Sequence, residues 1–320
     1  MSPILLHFYV TYRCNARCVF CDIPESSNLT ESQELTLERA AEIIKQAKEL
    51  GVRFIDFTGG EPLLYKHLPT LLKIARGQGL YTSITTNCIL YPKLAEKLKG
   101  NVTYLHFSLD SMEREIHNEI RGVKCYDKVI ESVKIAKSVG ERPDIMFTVN
   151  EDNIVSIGDM VRFAQDNKLM LLINPEFDYT NNNGFNDDYW NHLKSYSYKP
   201  FVYLNYGFHR LHKKGGNDAS KPRCKVFDST IVVNPEGELI LPCFHHQTDS
   251  LRIEPDLKTV YNSAEAQEYR HRQGRFIFCQ GCRINCYFDP SFCYDWDIYT
   301  LLSLGAKTKY VFDKYIRSSK

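Results

Sequence analysis

The sequence lacks several features that would place the protein in a membrane or outside the cell. Its apolar runs are all shorter than a bilayer span, and no N-terminal signal region precedes the first apolar segment. Neither sign of charge is in excess: 40 basic and 39 acidic residues give +1, too little to attract nucleic acid or an anionic membrane. We therefore expect a cytoplasmic protein with no nucleic-acid partner and no integral membrane segment.

Cysteine is plentiful, and its arrangement is the most informative feature of the chain. Eleven cysteines are an odd number in a chain without an export signal, so we expect free thiols in a reducing compartment. Cys14, Cys18 and Cys21 form a Cys-x3-Cys-x2-Cys triplet after the first apolar run. A [4Fe-4S] cluster normally takes four cysteines, so three leave one iron open to another ligand. Structural zinc and three buried thiols are alternatives that the triplet alone leaves open.

The run from Cys14 to Cys21, with the aromatic Phe20 before the third cysteine, resembles the signature of the radical S-adenosylmethionine enzymes. The resemblance implies a [4Fe-4S] cluster whose unique iron chelates the amino and carboxylate groups of S-adenosylmethionine. An electron from the cluster would then release a 5′-deoxyadenosyl radical that abstracts hydrogen from a substrate. The hard chemistry belongs to the cofactors, which the protein positions.

A second motif, Thr58-Gly59-Gly60-Glu61-Pro62, follows the next strand-like run. Glycines let the backbone pass close to a ligand, and a glutamate accepts a charge-assisted hydrogen bond from an ammonium group. By resemblance to the same family, residues Gly59 to Pro62 hold the methionine amino group. The alternative is an ordinary strand-to-helix turn.

Weaker matches to the motifs of the same family lie at later strand ends. Asn87 matches a third-strand motif, although Cys88 replaces the usual glycine after it. By resemblance, Ser108 and Arg121 are candidates for the methionine carboxylate, and Asp110 completes the cofactor-binding set, with ordering of its loop as its expected role. Capping or surface polar residues are the alternative.

Apolar periodicity predicts an α/β fold. Strands are predicted at 4–11, 52–57, 80–85, 102–109, 145–149 and 169–173, and helices at 37–50, 65–78, 91–99, 126–139 and 154–167. This alternation predicts a parallel sheet, as an open sheet or a partial barrel. The family resemblance selects a partial (β/α)6 TIM barrel over residues 1–174.

Beyond residue 174 the composition changes. Residues 175–222 form an aromatic-rich connecting segment, in which Glu176 and Asp178 are weak candidates for a catalytic acid or base. Residues 223–320 are predicted to form an auxiliary domain with a β-hairpin and a C-terminal helix, its last residues being a docking helix or a frayed tail.

The C-terminal third holds a second group of cysteines: Cys224, Cys243, Cys279, Cys282, Cys286 and Cys293. Their spacing resembles the SPASM and shorter "twitch" extensions of radical S-adenosylmethionine enzymes. The resemblance implies one auxiliary [4Fe-4S] cluster on the first four. The last two replace a ligand, serve a second cluster or stay free. A zinc ribbon is the alternative.

The sequence therefore predicts a radical S-adenosylmethionine enzyme, served by a one-electron donor such as flavodoxin or ferredoxin. Its auxiliary cluster would support oxidation or bind substrate. Because the chain starts almost at its first strand, without room for a fused peptide-recognition domain, a small molecule (sugar, lipid or cofactor precursor) is favoured. The alternatives are a ribosomal peptide and a non-catalytic iron–sulfur electron-transfer or scaffold protein.

Overall fold

Strands and helices largely alternate from Leu5 to Lys213 in the structure, a computed structural model that describes residues 2–23, 33–176 and 186–319. The strands in these residues are β1 (Leu5–Thr11), β2 (Phe54–Gly59), β3 (Tyr81–Thr86), β4 (Tyr104–Ser108), β5 (Asp144–Val149), β6 (Leu171–Pro175), β7 (Val202–Tyr203), β8 (Thr230–Val233), β9 (Glu238–Leu241) and β10 (Asp249–Arg252). The α-helices are α1 (Leu37–Leu50), α2 (Leu68–Gly77), α3 (Tyr91–Leu98), α4 (Arg114–Arg121), α5 (Tyr126–Ser138), α6 (Ile157–Asn167), α7 (Asp187–Ser197), α8 (Tyr206–Lys213), α9 (Val226–Ser229), α10 (Leu257–Tyr261), α11 (Ala264–Arg272), α12 (Asn285–Ser291) and α13 (Ile298–Val311).

Local sequence sets the limits of helix α1. The Thr36 side chain caps its first turn by accepting a hydrogen bond from the N–H of Arg39, and Gly51 ends it in the left-handed conformation with φ 116°. Between these caps the buried residues Ala40, Ile43, Ile44 and Ala47 recur at helical spacing. The predicted bounds of this helix are therefore confirmed.

The chain divides into two compact units, each made of three stretches. Unit 1 comprises Met1–Ser108, Asn118–Pro143 and Val226–Arg272. Its sheet has the strand order β10-β9-β8-β1-β2-β3-β4. The strands from β8 to β4 run parallel, and β9 and β10 pair antiparallel at one end.

Unit 2 comprises Leu109–His117, Asp144–Lys225 and Gln273–Lys320. Its strands β5, β6 and β7 are parallel and lie in that order. Near the C-terminus, the buried Lys314 Nζ contacts Asp144 Oδ1 at 2.7 Å, and the Tyr310 hydroxyl donates to the other carboxylate oxygen at 2.6 Å. The C-terminal segment therefore docks within unit 2 through a buried ion pair.

The two faces of the unit 1 sheet differ in burial. One face carries large apolar side chains with no exposed surface: Phe8, Ile55, Phe57, Ile84 and Phe107. Residues that alternate with these in β1 to β4 are mostly polar and only partly buried. One face is therefore core, and the other is accessible.

These features confirm the predicted α/β class with a parallel sheet, and each of the six predicted strands is present to within a few residues. The boundaries of the two compact units differ from those of the predicted segments 1–174, 175–222 and 223–320. The predicted hairpin strands β8 and β9 join unit 1, because β8 pairs in parallel with the free edge of β1. Within the described residues, no helix has both the length and the apolar character to cross a bilayer.

Candidate active site

The N-terminal cysteine triplet lies on the loop that leaves the end of β1. All eleven cysteines fall within the described residues, and all are free thiols. Cys14, Cys18 and Cys21 are partly exposed, and the N–H of Cys21 bonds the Cys18 carbonyl at 3.1 Å. The N–H of Ala16 also donates to the Cys14 sulfur at 3.4 Å. The three sulfurs are therefore neither bridged to one another nor fully buried, as ligands of an added group require.

The Gly59-Gly60 turn holds one side of this loop. The N–H of Gly60 donates to the Thr11 carbonyl at 2.9 Å, and the N–H of Glu61 donates to the Arg13 carbonyl at 2.9 Å. A Cβ on Gly60 would overlap the backbone carbonyl of Arg13, and one on Gly59 would overlap that of Thr11. Glycine is thus required here because the end of β2 lies directly against the cysteine loop.

The segment 120–122 holds the other side. The N–H of Arg17 donates to the Arg121 carbonyl at 3.0 Å, and the N–H of Val19 donates to that of Ile120 at 2.9 Å. The Arg121 guanidinium lies 3.6 Å from the Cys18 sulfur and 5.4 Å from the centre of the Phe20 ring. The structure therefore brings two predicted cofactor residues, Phe20 and Arg121, to the cysteine loop.

A further anchor, Glu34, was missed by the sequence analysis. Its buried carboxylate accepts two hydrogen bonds from Arg13, at 2.7 and 3.0 Å, and one from the Thr11 hydroxyl. This bidentate pair fixes the start of the cysteine loop from a third direction. A lone glutamate after a polar stretch carries no periodic or motif signal, so only the folded chain shows its role.

Glu61 and Asn87 join the ends of β2 and β3. One carboxylate oxygen of Glu61 accepts from the Leu63 N–H at 3.1 Å and the Thr86 hydroxyl at 2.8 Å, and the other accepts from the Asn87 N–H at 2.9 Å. The Asn87 side chain donates to Asn15 Oδ1, on the cysteine loop, at 2.7 Å. A carboxylate has about four acceptor positions, so one remains for a ligand.

Cys88 stands where the family motif has a glycine after Asn87. Cys88 adopts the left-handed conformation with φ 68°, which glycine favours, and it is fully buried. Its N–H donates to the Thr86 hydroxyl oxygen at 3.1 Å. Cys88 therefore takes the left-handed turn conformation without a glycine.

Burial opposes charge on the cysteine thiols in the free protein. It raises the pKa of Cys14 to about 11 and also raises that of Cys21, with the neighbouring thiolates adding to both shifts. Burial likewise raises the pKa of Glu61 to about 7, against the hydrogen bonds from Asn87 and Thr86. Iron cations stabilise thiolates, so this donor set, on a clamped and partly open loop, fits a thiolate-bound cluster.

The remaining predicted residues lie at several places in the fold. Ser108 is buried at the end of β4, and Pro62 begins a short 3-10 helix over Pro62–Leu64. Asp110 is fully buried in unit 2 and accepts from the Thr148 N–H at 3.1 Å. Glu176 follows β6 and is partly buried, whereas Asp178 lies outside the described residues.

In unit 2, Asn217 gathers the segments that carry Cys224, Cys279 and Cys282. Its side-chain oxygen accepts from the Cys224 N–H at 3.4 Å, and its amide donates to the Cys279 carbonyl at 3.0 Å. Its backbone N–H donates to the Cys282 carbonyl at 2.9 Å. The sequence analysis missed this buried asparagine, which holds three of the predicted auxiliary ligands in one region.

The other predicted auxiliary ligands are less grouped. Cys243 is buried in unit 1, and Cys286 and Cys293 are exposed in unit 2. Among the described residues, no three His, Cys, Asp or Glu side chains are arranged around a single metal ion. Both predicted ligand sets therefore stay predictions.

Comparison with known proteins identifies a domain in this chain. A family model described as "Radical SAM superfamily" matches residues 8–164. The probable GTP 3′,8-cyclase of Sulfurisphaera tokodaii is 33% identical over 165 residues, which cover 50% of this chain and 51% of that protein. The Fe-coproporphyrin III synthase of Methanosarcina barkeri is 31% identical over 171 residues, covering 52% and 42%. The chain thus spans about half the length of the curated relatives it matches.

Solved structures agree on the fold. Streptococcus suis SuiB bound to precursor peptide SuiA superposes with a TM-score of 0.67 at 18% identity, covering 92% of this chain and 74% of that one. Native anSMEcpe with bound AdoMet and a peptide gives 0.65 at 17% identity, with 98% of each chain covered. These likenesses match the predicted partial barrel. With its cysteine loop and the family match, the segment 8–164 is a radical S-adenosylmethionine domain.

Proposed function

We propose that this protein reductively cleaves S-adenosylmethionine and uses the 5′-deoxyadenosyl radical to abstract hydrogen from a small-molecule substrate. The observation that carries the proposal is the cysteine loop, which backbone hydrogen bonds hold between the Gly59-Gly60 turn and segment 120–122. A [4Fe-4S] cluster bound there would supply the electron for cleavage. Cys14, Cys18 and Cys21 would hold three of its irons and leave the fourth for S-adenosylmethionine.

The residues around the loop have distinct proposed roles. Arg121, buried beside Cys18, would bind the methionine carboxylate together with Ser108. The segment Gly59 to Pro62 would bind the methionine amino group, with Glu61 using its remaining acceptor position. Asn87 and Asp110 would act by orienting the loops that carry these groups, since each is hydrogen-bonded to neighbouring chain segments.

We also propose an auxiliary [4Fe-4S] cluster of the SPASM or twitch type. Its predicted ligands are Cys224, Cys243, Cys279 and Cys282, and the convergence of three of these segments on Asn217 supports it. Cys286 and Cys293 would replace a ligand, serve a second cluster or stay free. The auxiliary cluster would accept an electron from the substrate radical or anchor the substrate. A one-electron donor such as flavodoxin or ferredoxin would supply the first electron.

The substrate class is proposed from the relatives. The matched curated proteins are named for small molecules, GTP and Fe-coproporphyrin III, which supports a cofactor precursor or related small molecule here. A ribosomal peptide is the second candidate, since the SuiB structure that shares this fold holds a precursor peptide. Glu176 and Asp178 remain weak candidates for the substrate acid or base.

The test of cleavage is anaerobic reconstitution with iron and sulfide, followed by dithionite and S-adenosylmethionine. We expect iron in multiples of four and formation of 5′-deoxyadenosine. Cys14→Ala is expected to abolish 5′-deoxyadenosine formation. Cys125→Ala is the matched control, because Cys125 is a buried thiol in neither ligand set. Full cleavage by Cys14→Ala contradicts the assignment of Cys14 as a cluster ligand. No cleavage by the wild type contradicts the proposed reaction and favours a non-catalytic iron–sulfur protein.

The substrate test is incubation of the loaded enzyme with deuterated candidates. Transfer of deuterium into 5′-deoxyadenosine identifies the molecule whose hydrogen is abstracted. Transfer from a small metabolite supports the favoured class. Transfer from a peptide, with none from the metabolites, establishes the second candidate instead.

A further inference from the structure

The accessible face of the unit 1 sheet carries a band of polar side chains. His7, Asp56, Ser83 and His106 stand on four neighbouring parallel strands, each flanked along its strand by core residues such as Phe57. Parallel sheets are usually covered on both faces, and their strands are then continuously apolar. Here Asp56 keeps 24% of its side chain exposed, although β2 lies between two other strands. This face therefore borders accessible space.

Strand register places the polar residues side by side. His7 is opposite Asp56, and Asp56 is opposite Ser83. His7 Nδ1 lies 3.1 Å from Asp56 Oδ2, and Thr85 Oγ1 lies 3.3 Å from Nδ1 of His106, its partner on β4. A neighbouring strand thus holds one nitrogen of each imidazole, which fixes the ring, and Nε2 of His7 is buried.

The charge of this band limits the ligand it suits. Burial raises the pKa of Asp56, but the hydrogen bonds from His7 and Ser83 outweigh it, so the pKa is lowered overall and the carboxylate is ionised at neutral pH. Strands β1 to β4 contain no lysine or arginine. A carboxylate without a neighbouring strand cation repels anions. The band therefore offers hydrogen bonds to neutral polar groups and disfavours phosphate.

The position of the band relative to the cysteine loop is set by strand geometry. His7 precedes Thr11, the last residue of β1, by four positions. At about 3.3 Å per residue, this is about 13 Å along the strand. A ligand group bound at the band would lie well away from the loop, at the far end of a substrate that extends toward it.

We propose that His7, Asp56, Ser83, Thr85 and His106 form a specificity site for an uncharged, hydroxyl-bearing part of the substrate, such as a sugar ring. Its identity as a substrate site rests on the proposed function. The site itself rests only on the polar band. A phosphate site would need cationic side chains. This band instead has a carboxylate and two imidazoles that are each hydrogen-bonded at one nitrogen.

The test is histidine NMR on the full chain, using D-ribose and D-ribose 5-phosphate as a matched pair of probes. We expect ribose at millimolar concentration to shift the His7 and His106 ring signals saturably. Ribose 5-phosphate should bind at least about tenfold more weakly. The signal that disappears in His7→Asn or in His106→Asn belongs to the replaced histidine. If one variant does not fold, the other still assigns its signal. The exposed His271 is the control signal and should not move.

Asp56→Asn tests the carboxylate directly. Removing its charge should reduce the ratio of the two dissociation constants, for ribose 5-phosphate and for ribose, at least threefold. The melting temperature shows that the variant is folded. The proposal is overturned if ribose produces no saturable shift, or if the phosphate binds as well as ribose to the wild type. These results need no S-adenosylmethionine cleavage. A chain that cleaves it but does not bind ribose refutes this inference alone, and one that binds ribose without cleavage refutes the proposed function alone.

Discussion

At the scale of single residues, the cysteines differ in what their surroundings do to the thiol. Burial raises the pKa of both Cys14 and Cys279 to about 11, from an ordinary value of 9.0. Cys286 and Cys293 are exposed instead. The cysteines therefore separate into buried thiols that stay protonated near neutral pH unless a metal binds them and thiols that are exposed to solvent.

This separation predicts the order of alkylation in the metal-free protein. A pKa two units higher leaves roughly 100-fold less thiolate at pH 8, and higher nucleophilicity recovers about tenfold. We expect iodoacetamide to modify Cys14 and Cys279 about tenfold more slowly than Cys286, with rates that rise as the pH approaches 11. Peptide mass spectrometry at several pH values measures this order. Equal rates at pH 8 would contradict the prediction, and loading with iron and sulfide should protect Cys14 further.

At the scale of elements, the cysteine loop is held where it meets the end of β2. Backbone hydrogen bonds and the Glu34–Arg13 ion pair fix the loop, and Gly60 allows the two backbones to meet. The loop geometry thus depends on contacts that a single added methyl group would disrupt. Stability of the loop and ability to hold a cluster should change together.

Gly60→Ala is the corresponding prediction. The new Cβ would overlap the Arg13 carbonyl, so the backbone must shift, at a cost of about 2 kcal/mol or more, and iron retention after desalting should fall. Gly77→Ala is the matched control, since a Cβ there meets nothing within 4 Å and Gly77 ends a helix. Urea titration and iron assay measure both effects. Equal iron retention in the two variants would contradict the proposal that the contact between the end of β2 and the cysteine loop helps to hold the cluster.

The elements also show what the sequence can and cannot predict. Apolar periodicity located β1 to β6 and helix α1, because their core faces repeat at fixed intervals. It predicted the hairpin of β8 and β9 but not the pairing of β8 with β1, since local alternation does not specify which sheet edge a strand joins. The motifs identified the cysteine loop. Glu34 and Asn217 escaped because their roles depend on distant backbone groups.

At the scale of the whole molecule, the last residues of the chain are part of the packing of unit 2. The sequence left a docking helix and a frayed tail open. In the structure Lys314 is 6% exposed and pairs with Asp144, which is 0% exposed. The end of the chain therefore docks, and its charge pair is buried rather than solvated.

Lys314→Met tests how much unit 2 depends on this pair. Asp144 would keep the Tyr310 hydroxyl but lose its counter-ion, and an uncompensated buried charge typically costs about 3–5 kcal/mol. Arg162→Met, which removes the exposed pair with Asp159, should change stability by less than about 1 kcal/mol. Denaturant midpoints of the two variants measure the contrast. A loss for Lys314→Met no larger than that for the control would show that the tail contributes little.

The discontinuous make-up of unit 1 has a consequence for biosynthesis. The cysteine triplet leaves the ribosome before β8, the neighbour of β1, because β8 belongs to the stretch Val226–Arg272. At about 5–20 residues per second, translation from the triplet to the end of that stretch takes on the order of 10 to 50 s. During this interval the edge of β1 that later pairs with β8 has no partner strand in the nascent chain. Iron–sulfur insertion is therefore expected to follow translation of the stretch Val226–Arg272, and a ribosome stalled before residue 226 should carry a chain that cannot retain iron.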